Sequence, residues 1–457
     1  MPLKSVLPLA VALTLAACNG SGTFANVPAA SHAAPPNALR RKVLLGSTTP
    51  IQHVVFIVQE NRSFNNLFMS YPGATTQNYG YDIGHNKIVL RAQDLAQSWD
   101  ISHASSAFFA ACDAKKGKLP GTHCKMDGWN HEPFGIGAPP NAPYAYVPEA
   151  QIDPYWKMAK QYVLADQMFA SNLDGSFIAH QYVVAAYASR AVDFPAGAWG
   201  CEGTSGDTIE TLTADRTYGS PIFPCFGNPT IGNEADAAGV SWRFYTGSIN
   251  GDGGLWSSYQ ADRKVYHRPD WKSDVINPPS QFLTDIAAGK LAGVTWIMPT
   301  YENSDHAGLD SSTGPAWVAS LVNAVGTSPF WSSSAIFIMW DDWGGWFDPV
   351  KPIYEDYDGL GFRVPLLIIS PYAKQGYVTH VQYETSSVLR YIEDNFGLSH
   401  LAKSDARAND PATDAFDYNQ QPRTFTKFGG SKPNAHWIER DRTSRLHGKP
   451  QSFIGDD

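Results

Sequence analysis

Ile51-Gln52-His53-Val54-Val55-Phe56-Ile57-Val58-Gln59-Glu60-Asn61-Arg62-Ser63-Phe64 joins an apolar run directly to a polar cluster. Residues 54–58 are β-branched or aromatic and short, the pattern of a buried strand. The run ends abruptly in Gln-Glu-Asn-Arg, where a strand would leave its sheet. In open α/β sheets, ligands bind at the carboxyl ends of strands. A carboxylate beside an amide there offers oxygen ligands for a hard cation. A solvated turn is the plainer reading of four polar residues, so partners elsewhere in the chain decide between the two.

The same punctuation recurs. The alternating residues 240–245 and short apolar runs at 294–298, 335–340 and 364–369 predict further strands. Between them lie helical patterns. Tyr155, Met158, Ala159, Tyr162 and Val163 predict a helix over 152–169. Ile178, Tyr182, Ala185 and Ala186 predict another from Ser176. Trp317, Leu321, Ala324 and Val325 share one helical face. Val388, Leu389, Ile392 and Phe396 predict a last helix over 386–396, with Gly397 as its C-terminal stop. Strands alternating with amphipathic helices imply an α/β fold, a mostly parallel sheet covered on both faces. Long irregular segments at 70–150, 190–235 and 250–290 are insertions, the first expected over the sheet edge as a functional lid. The tail beyond Thr413 is polar and weakly patterned. No linker follows residue 48, so 48–457 is expected to be one domain.

The amino terminus has the grammar of export. Lys4 precedes an apolar stretch at 6–15, and Leu15-Ala16-Ala17-Cys18 resembles a bacterial lipobox. Residues 1–18 are expected to be a lipoprotein signal and 19–47, with Pro35-Pro36, a flexible tether. The protein is thus expected to be exported, periplasmic or cell-surface, with a lipid anchor at Cys18. Four cysteines remain. Spacing favours Cys112–Cys124 and Cys201–Cys225, with the other connectivities open. A net charge of −9 argues against a nucleic-acid partner.

Three strand ends carry polar clusters: Glu60-Asn61, Asp305-His306 and Asp341-Asp342. Adjacent carboxylates repel unless a cation sits between them. One divalent ion is the expected cofactor, and oxygen ligands favour calcium, magnesium or manganese over zinc. Ser176 opens a predicted helix. It reads either as an N-cap or as a nucleophile placed where the helix dipole favours an anion. His180 lies one turn on, on the same face. Asp100-Ile101-Ser102-His103 and Met126-Asp127-Gly128-Trp129-Asn130-His131 supply further histidines.

Glu60-Asn61-Arg62-Ser63-Phe64 after His53-Val54-Val55 resembles the signature of the bacterial phosphoesterase family of phospholipases C and acid phosphatases. Gly175-Ser176-Phe177, Asn303-Ser304-Asp305-His306, Asp341-Asp342-Trp343-Gly344-Gly345 and the block from Arg363-Val364-Pro365 to Gly376-Tyr377-Val378 are similar to later family segments, in order across residues 50–400. The resemblance implies a three-layer α/β/α fold of the alkaline-phosphatase kind. It implies metal ligation by Glu60, Asn61, Asp341 and Asp342, and Ser176 as nucleophile. His103 and His306 would contact phosphate or protonate the leaving group. Asn61 and His180 would also touch substrate, with His131 a further candidate. Asn65, Trp343 and Pro349 depart from the family pattern, the last two replacing histidines.

The expected activity is metal-dependent hydrolysis of phosphate esters by a serine nucleophile, with Gly-Ser-Phe leaning toward an acid phosphatase. A phospholipase C acting on phospholipid diesters is the alternative. A non-catalytic surface lipoprotein binding through Trp129, Trp242, Trp256, Trp271 and Trp346 is the third reading.

Overall fold

A computed structural model describes residues 47–249 and 254–443. The signal, Cys18 and nearly all of the tether lie outside them. All described residues fall in one compact unit. Its centre is an eight-stranded sheet of β1 (His53–Gln59), β2 (Val163–Ala165), β3 (Trp242–Tyr245), β4 (Val275–Ile276), β5 (Val294–Ile297), β6 (Ser334–Trp340), β7 (Leu366–Ile369) and β8 (Tyr377–Thr379), in spatial order β8-β2-β7-β6-β1-β5-β3-β4. β7 runs antiparallel to both its neighbours, and the other pairs are parallel. Every residue of β1 and β6 is buried, as their continuous apolar runs require.

Four helices matter for the site: α1 (Asp153–Gln161), α2 (Ser176–Ala185), α3 (Gly314–Gly326) and α4 (Thr385–Phe396). Phe337 packs on Tyr391 of α4, with ring centroids 4.9 Å apart. Trp340, an odd number of residues along β6, packs on Tyr155 of α1 at 4.8 Å. Successive strand residues face opposite sides, so helices cover both faces of the sheet. α1 contacts α3 and α2 contacts α4, giving the α/β/α layering.

Several expectations shift. The helix predicted over 152–169 stops at Gln161, and Val163–Ala165 becomes a strand between β7 and β8. Tyr162 and Val163 continue the helical spacing by coincidence, and burial in the sheet outweighs it. Segment 70–150 covers the carboxyl ends of the central strands rather than the sheet edge: Ile101 packs against Gly345 and Trp129 against Trp343. The weakly patterned tail contains a helix, Asn434–Thr443, anchored by Trp437, whose indole N–H donates to Ser320 Oγ at 2.8 Å. Cys112–Cys124 and Cys201–Cys225 are the disulfides.

Candidate active site

The sheet order explains why distant motifs meet. β1 lies between β5 and β6, parallel to both, so the segments leaving their carboxyl ends are neighbours. Backbone bonds stitch them together. Glu60 N–H donates to Ser304 O at 2.8 Å, and Asp341 N–H to Gln59 O at 3.0 Å. Asn61 takes a left-handed backbone, φ 58°, and its N–H donates to Asp341 Oδ1 at 3.1 Å. Asn is among the few residues other than Gly that tolerate this conformation.

Gly344 makes the close approach possible. A Cβ there would lie 2.0 Å from Asn61 O. Its N–H donates to Asp342 Oδ1 at 2.7 Å, which leaves Oδ2 toward Ser176 Oγ at 3.3 Å. Ser176 is the first residue of α2, and Gly175 is the N-cap, so the serine is freed from capping.

The Asn61 side chain is the hub. One terminal atom of its amide has Ser176 Oγ at 3.1 Å, Asp341 Oδ1 at 3.0 Å and Glu60 Oε2 at 3.1 Å. The other faces His103 Nε2 at 2.8 Å and His306 Nε2 at 3.0 Å. The amide can stand either way round. The Nδ1 atoms of both histidines lie against backbone carbonyls, Ile101 O at 2.9 Å and Ala307 O at 2.5 Å. A carbonyl only accepts, so each Nδ1 carries a proton, and a ring that holds that proton alone presents Nε2 as an acceptor. The Asn61 NH₂ then donates to both rings, and its Oδ1 turns into a ring of oxygens. Oxygens about 3 Å apart repel without a cation, and they are spaced as neighbouring ligands of a hard cation bound at about 2.0–2.6 Å. Asp341 Oδ2 is buried without a hydrogen-bond partner among the described residues. The residues present therefore fit a divalent ion.

His180 stands among the carboxylates. Its Nε2 lies 3.0 Å from Glu60 Oε1 and 3.6 Å from Asp341 Oδ2. Glu60, His180 and Asp341 bring ligand atoms within 4.8 Å of one another. His180, expected as a substrate contact, stands where it can hold the two carboxylates or join them on an ion.

Residues 51–399 match the family described as the Phosphoesterase family. The chain belongs to that family. Phospholipase C B of Mycobacterium tuberculosis is 25% identical over 471 residues, covering 89% of this chain and 83% of that protein. The non-hemolytic phospholipase C of Pseudomonas aeruginosa is 24% identical, covering 77% of this chain and 55% of that protein. A solved structure of a protein in the alkaline phosphatase superfamily from Vibrio parahaemolyticus superposes with a TM-score of 0.35 at 10% identity, over 78% of this chain and 70% of that one. The chain is thus a hydrolase of phosphoric esters.

This phosphoesterase gathers Glu60, Asn61, His103, Ser176, His180, His306, Asp341 and Asp342 into one buried cluster. Other residues stand apart from it. The Asp305 carboxylate accepts from Tyr155 Oη at 2.7 Å and Trp340 Nε1 at 3.2 Å. Burial pushes its pKa up to about 6. Arg62, its pKa brought down to about 10 by burial, donates to the Asp305 and Leu95 carbonyls and so fixes the loop that carries His306. His131 is exposed. Of the five tryptophans of the expected binding surface, Trp129, Trp242, Trp256 and Trp346 are buried and Trp271 is half-buried, so they do not form an exposed aromatic face.

Sequence reasoning missed the aromatic neighbours of the histidines. Tyr301 and Trp256 lie 5.9 and 6.0 Å from His306, and Trp256 also stacks on His180 at 6.5 Å. It also missed Asp100, whose Oδ2 is 3.8 Å from His306 Nδ1. Its place three residues before His103 was the available signal. Trp343, where a family histidine would stand, packs between Trp129 and Phe362 as core.

Proposed function

We propose that Ser176 is the nucleophile of a metal-dependent phosphate-ester hydrolase. The observation that carries this reading is the contact of Ser176 Oγ with both the Asn61 amide and Asp342 Oδ2, at the amino end of α2. Glu60, Asn61, Asp341 and Asp342 would hold one divalent ion, which when bound would polarise the ester and lower the serine pKa. Asp342 Oδ2 receives the proton as Ser176 Oγ attacks phosphorus, forming a phosphoserine. The amino end of α2 favours the charge that develops there. His306 has the Asp100 carboxylate behind it; with a second proton taken up at Nε2 it acts as an imidazolium and gives that proton to the departing alkoxide. His103, whose Nε2 also lies 4.0 Å from Asp342 Oδ2, keeps Asn61 oriented. Water then attacks the phosphoserine, its proton passes to His306, and Ser176 recovers its own from Asp342.

The relatives named above are phospholipases C, which favours a phosphodiester substrate. Gly175-Ser176-Phe177 favours a monoester. Export and a lipid anchor at Cys18 fit either reading. Hydrolysis of p-nitrophenyl phosphate and of p-nitrophenyl phosphorylcholine, each with and without chelator, separates the two. Ser176→Ala is expected to abolish turnover of the preferred substrate while bound metal is retained. Residual turnover above about one part in a thousand would remove the serine from this role.

A further inference from the structure

The strands Tyr79–Tyr81 and Lys87–Val89 form an antiparallel hairpin with Tyr79 opposite Val89 and Tyr81 opposite Lys87. Opposed residues, and residues two apart, share one face of a hairpin. Tyr79, Tyr81, Lys87 and Val89 therefore lie on the same side. Gly80 faces the other way, where a Cβ would meet the rings of Tyr144 and Phe347. The protein body lies on the glycine side, so the aromatic and aliphatic side chains face outward. Tyr81 is 43% exposed, Val89 65%, and Ile83 at the tip 52%. Lys87 Nζ sits 3.9 Å over the Tyr79 ring.

Beside this hairpin the surface is cationic. Tyr81 and His85 share a cavity of about 340 Å³ with Lys115, Lys125 and Lys351. Lys116 and Lys118 are exposed on the same loop, which the Cys112–Cys124 disulfide closes. Among the neighbouring acids Asp113 is paired with Lys125 and Asp127 is buried, while Asp82, its carboxyl held below the usual range by Asn86, is outnumbered by Lys87, Lys115, Lys116, Lys118 and Lys351. This is a basic patch on a chain of net charge −9.

We propose that the outward face of this hairpin, with the lysines around it, docks the protein on an anionic lipid bilayer. Tyrosines are suited to the depth of the headgroups, and lysines beside them reach anionic phosphates. Apolar side chains with basic neighbours are the physical recipe for interfacial binding. Charge complementarity selects an anionic membrane over a protein groove, because the apolar residues stand out as a ridge. The inference does not depend on which phosphate ester is cleaved.

The test uses the mature chain without its signal and cysteine, residues 19–457, so that neither the apolar stretch at 6–15 nor an acyl group at Cys18 contributes. Co-sedimentation is measured with vesicles of phosphatidylcholine and with equal mixtures of phosphatidylcholine and phosphatidylglycerol. Tyr81→Ser, Ile83→Ser and Val89→Ser are combined in one variant, and Lys115→Glu, Lys116→Glu and Lys118→Glu in another. The parent is expected to bind mixed vesicles at least about tenfold tighter than neutral ones. Each variant is expected to lose about tenfold or more on mixed vesicles while hydrolysing soluble p-nitrophenyl ester at the parent's rate. Equal binding by parent and both variants, or no preference for phosphatidylglycerol, overturns the proposal. Loss of the proposed hydrolase activity in Ser176→Ala with vesicle binding unchanged keeps the two inferences separate.

Discussion

Asn65 shows how a single departure from a family motif acquires a physical reason. Its side chain pairs with the Gln77 backbone in both directions, Nδ2 donating to Gln77 O and Oδ1 accepting from Gln77 N, each at 2.9 Å. An aspartate, the residue the family resemblance leads one to expect here, accepts but does not donate. Asn65→Asp is therefore expected to destabilise the fold by about 1–3 kcal/mol through the orphaned carbonyl. The specific activity of the folded fraction should be preserved. Urea denaturation of the two proteins checks this, and equal midpoints would sink it. At this scale Glu60, Asn61, Ser176, Asp341 and Asp342 were legible because their chemistry is unusual next to apolar runs. The placement of His180 between Glu60 and Asp341 was not. Helical spacing puts His180 on the face of Ser176 but says nothing about which carboxylates that face meets.

Elements carry these residues, and two predictions belong to them. The turn after β6 approaches Asn61 so closely that a methyl group at position 344 would overlap Asn61 O, and φ there is 60°. Gly344→Ala adds the left-handed penalty of about 1–2 kcal/mol and displaces Asn61. Turnover is expected to fall about a hundredfold or more, with the far-ultraviolet circular dichroism unchanged. Parent-like kcat would show that the Asn61 position is dispensable. The second concerns α2, which is tied at Tyr182 to Asp358. Burial, aided by Asp356, lifts the Asp358 carboxyl from an ordinary 3.8 to about 7. A folded value above the unfolded one means the linked stability is fully present below about pH 4 and is lost as pH rises through about 7. Each pKa unit corresponds to about 1.4 kcal/mol. Asp358→Asn should remove this decline, so its denaturation free energy should fall less than the parent's between pH 5 and 8. Parallel pH profiles would dismiss the assignment. β1, β3, β5, β6 and β7 and the helices α2, α3 and α4 were readable from pattern. β2, β4 and β8 were not: β2 follows a helix in phase with its apolar stripe and looks like more helix, β4 is two residues inside a segment read as insertion, and β8 is three residues with no repeat of its own.

For the molecule as a whole, sequence order says little about why the site is assembled. Parallel pairing of β1 with both β5 and β6 brings positions 60, 306 and 341 together, and no local pattern records strand order. The alternation of strands and helices made the layers legible, whereas the cover formed by 70–150 was placed at the wrong part of the sheet. Insertions lack the periodicity that would say what they pack on. The assembled site has a consequence for folding. Glu60, Asp341 and Asp342 are fully buried within one cluster, so their mutual repulsion opposes the native state until a cation offsets it. An ion that binds only the folded chain adds about 2.7 kcal/mol at a free concentration one hundred times its Kd. Chelator should therefore lower the melting temperature by several degrees, and restored divalent ion should raise it in proportion to the logarithm of its concentration. Glu60→Gln should blunt that rise, because it removes a charge the ion would neutralise. Ser176→Ala should leave it nearly intact, because a hydroxyl adds little to the charge balance. A melting temperature indifferent to chelator and to added calcium, magnesium and manganese would mean that Asn61 Oδ1 does not turn toward the carboxylates. The amide would then stand the other way, with its NH₂ donating to Ser176, Asp341 and Glu60 and both histidines protonated at Nε2.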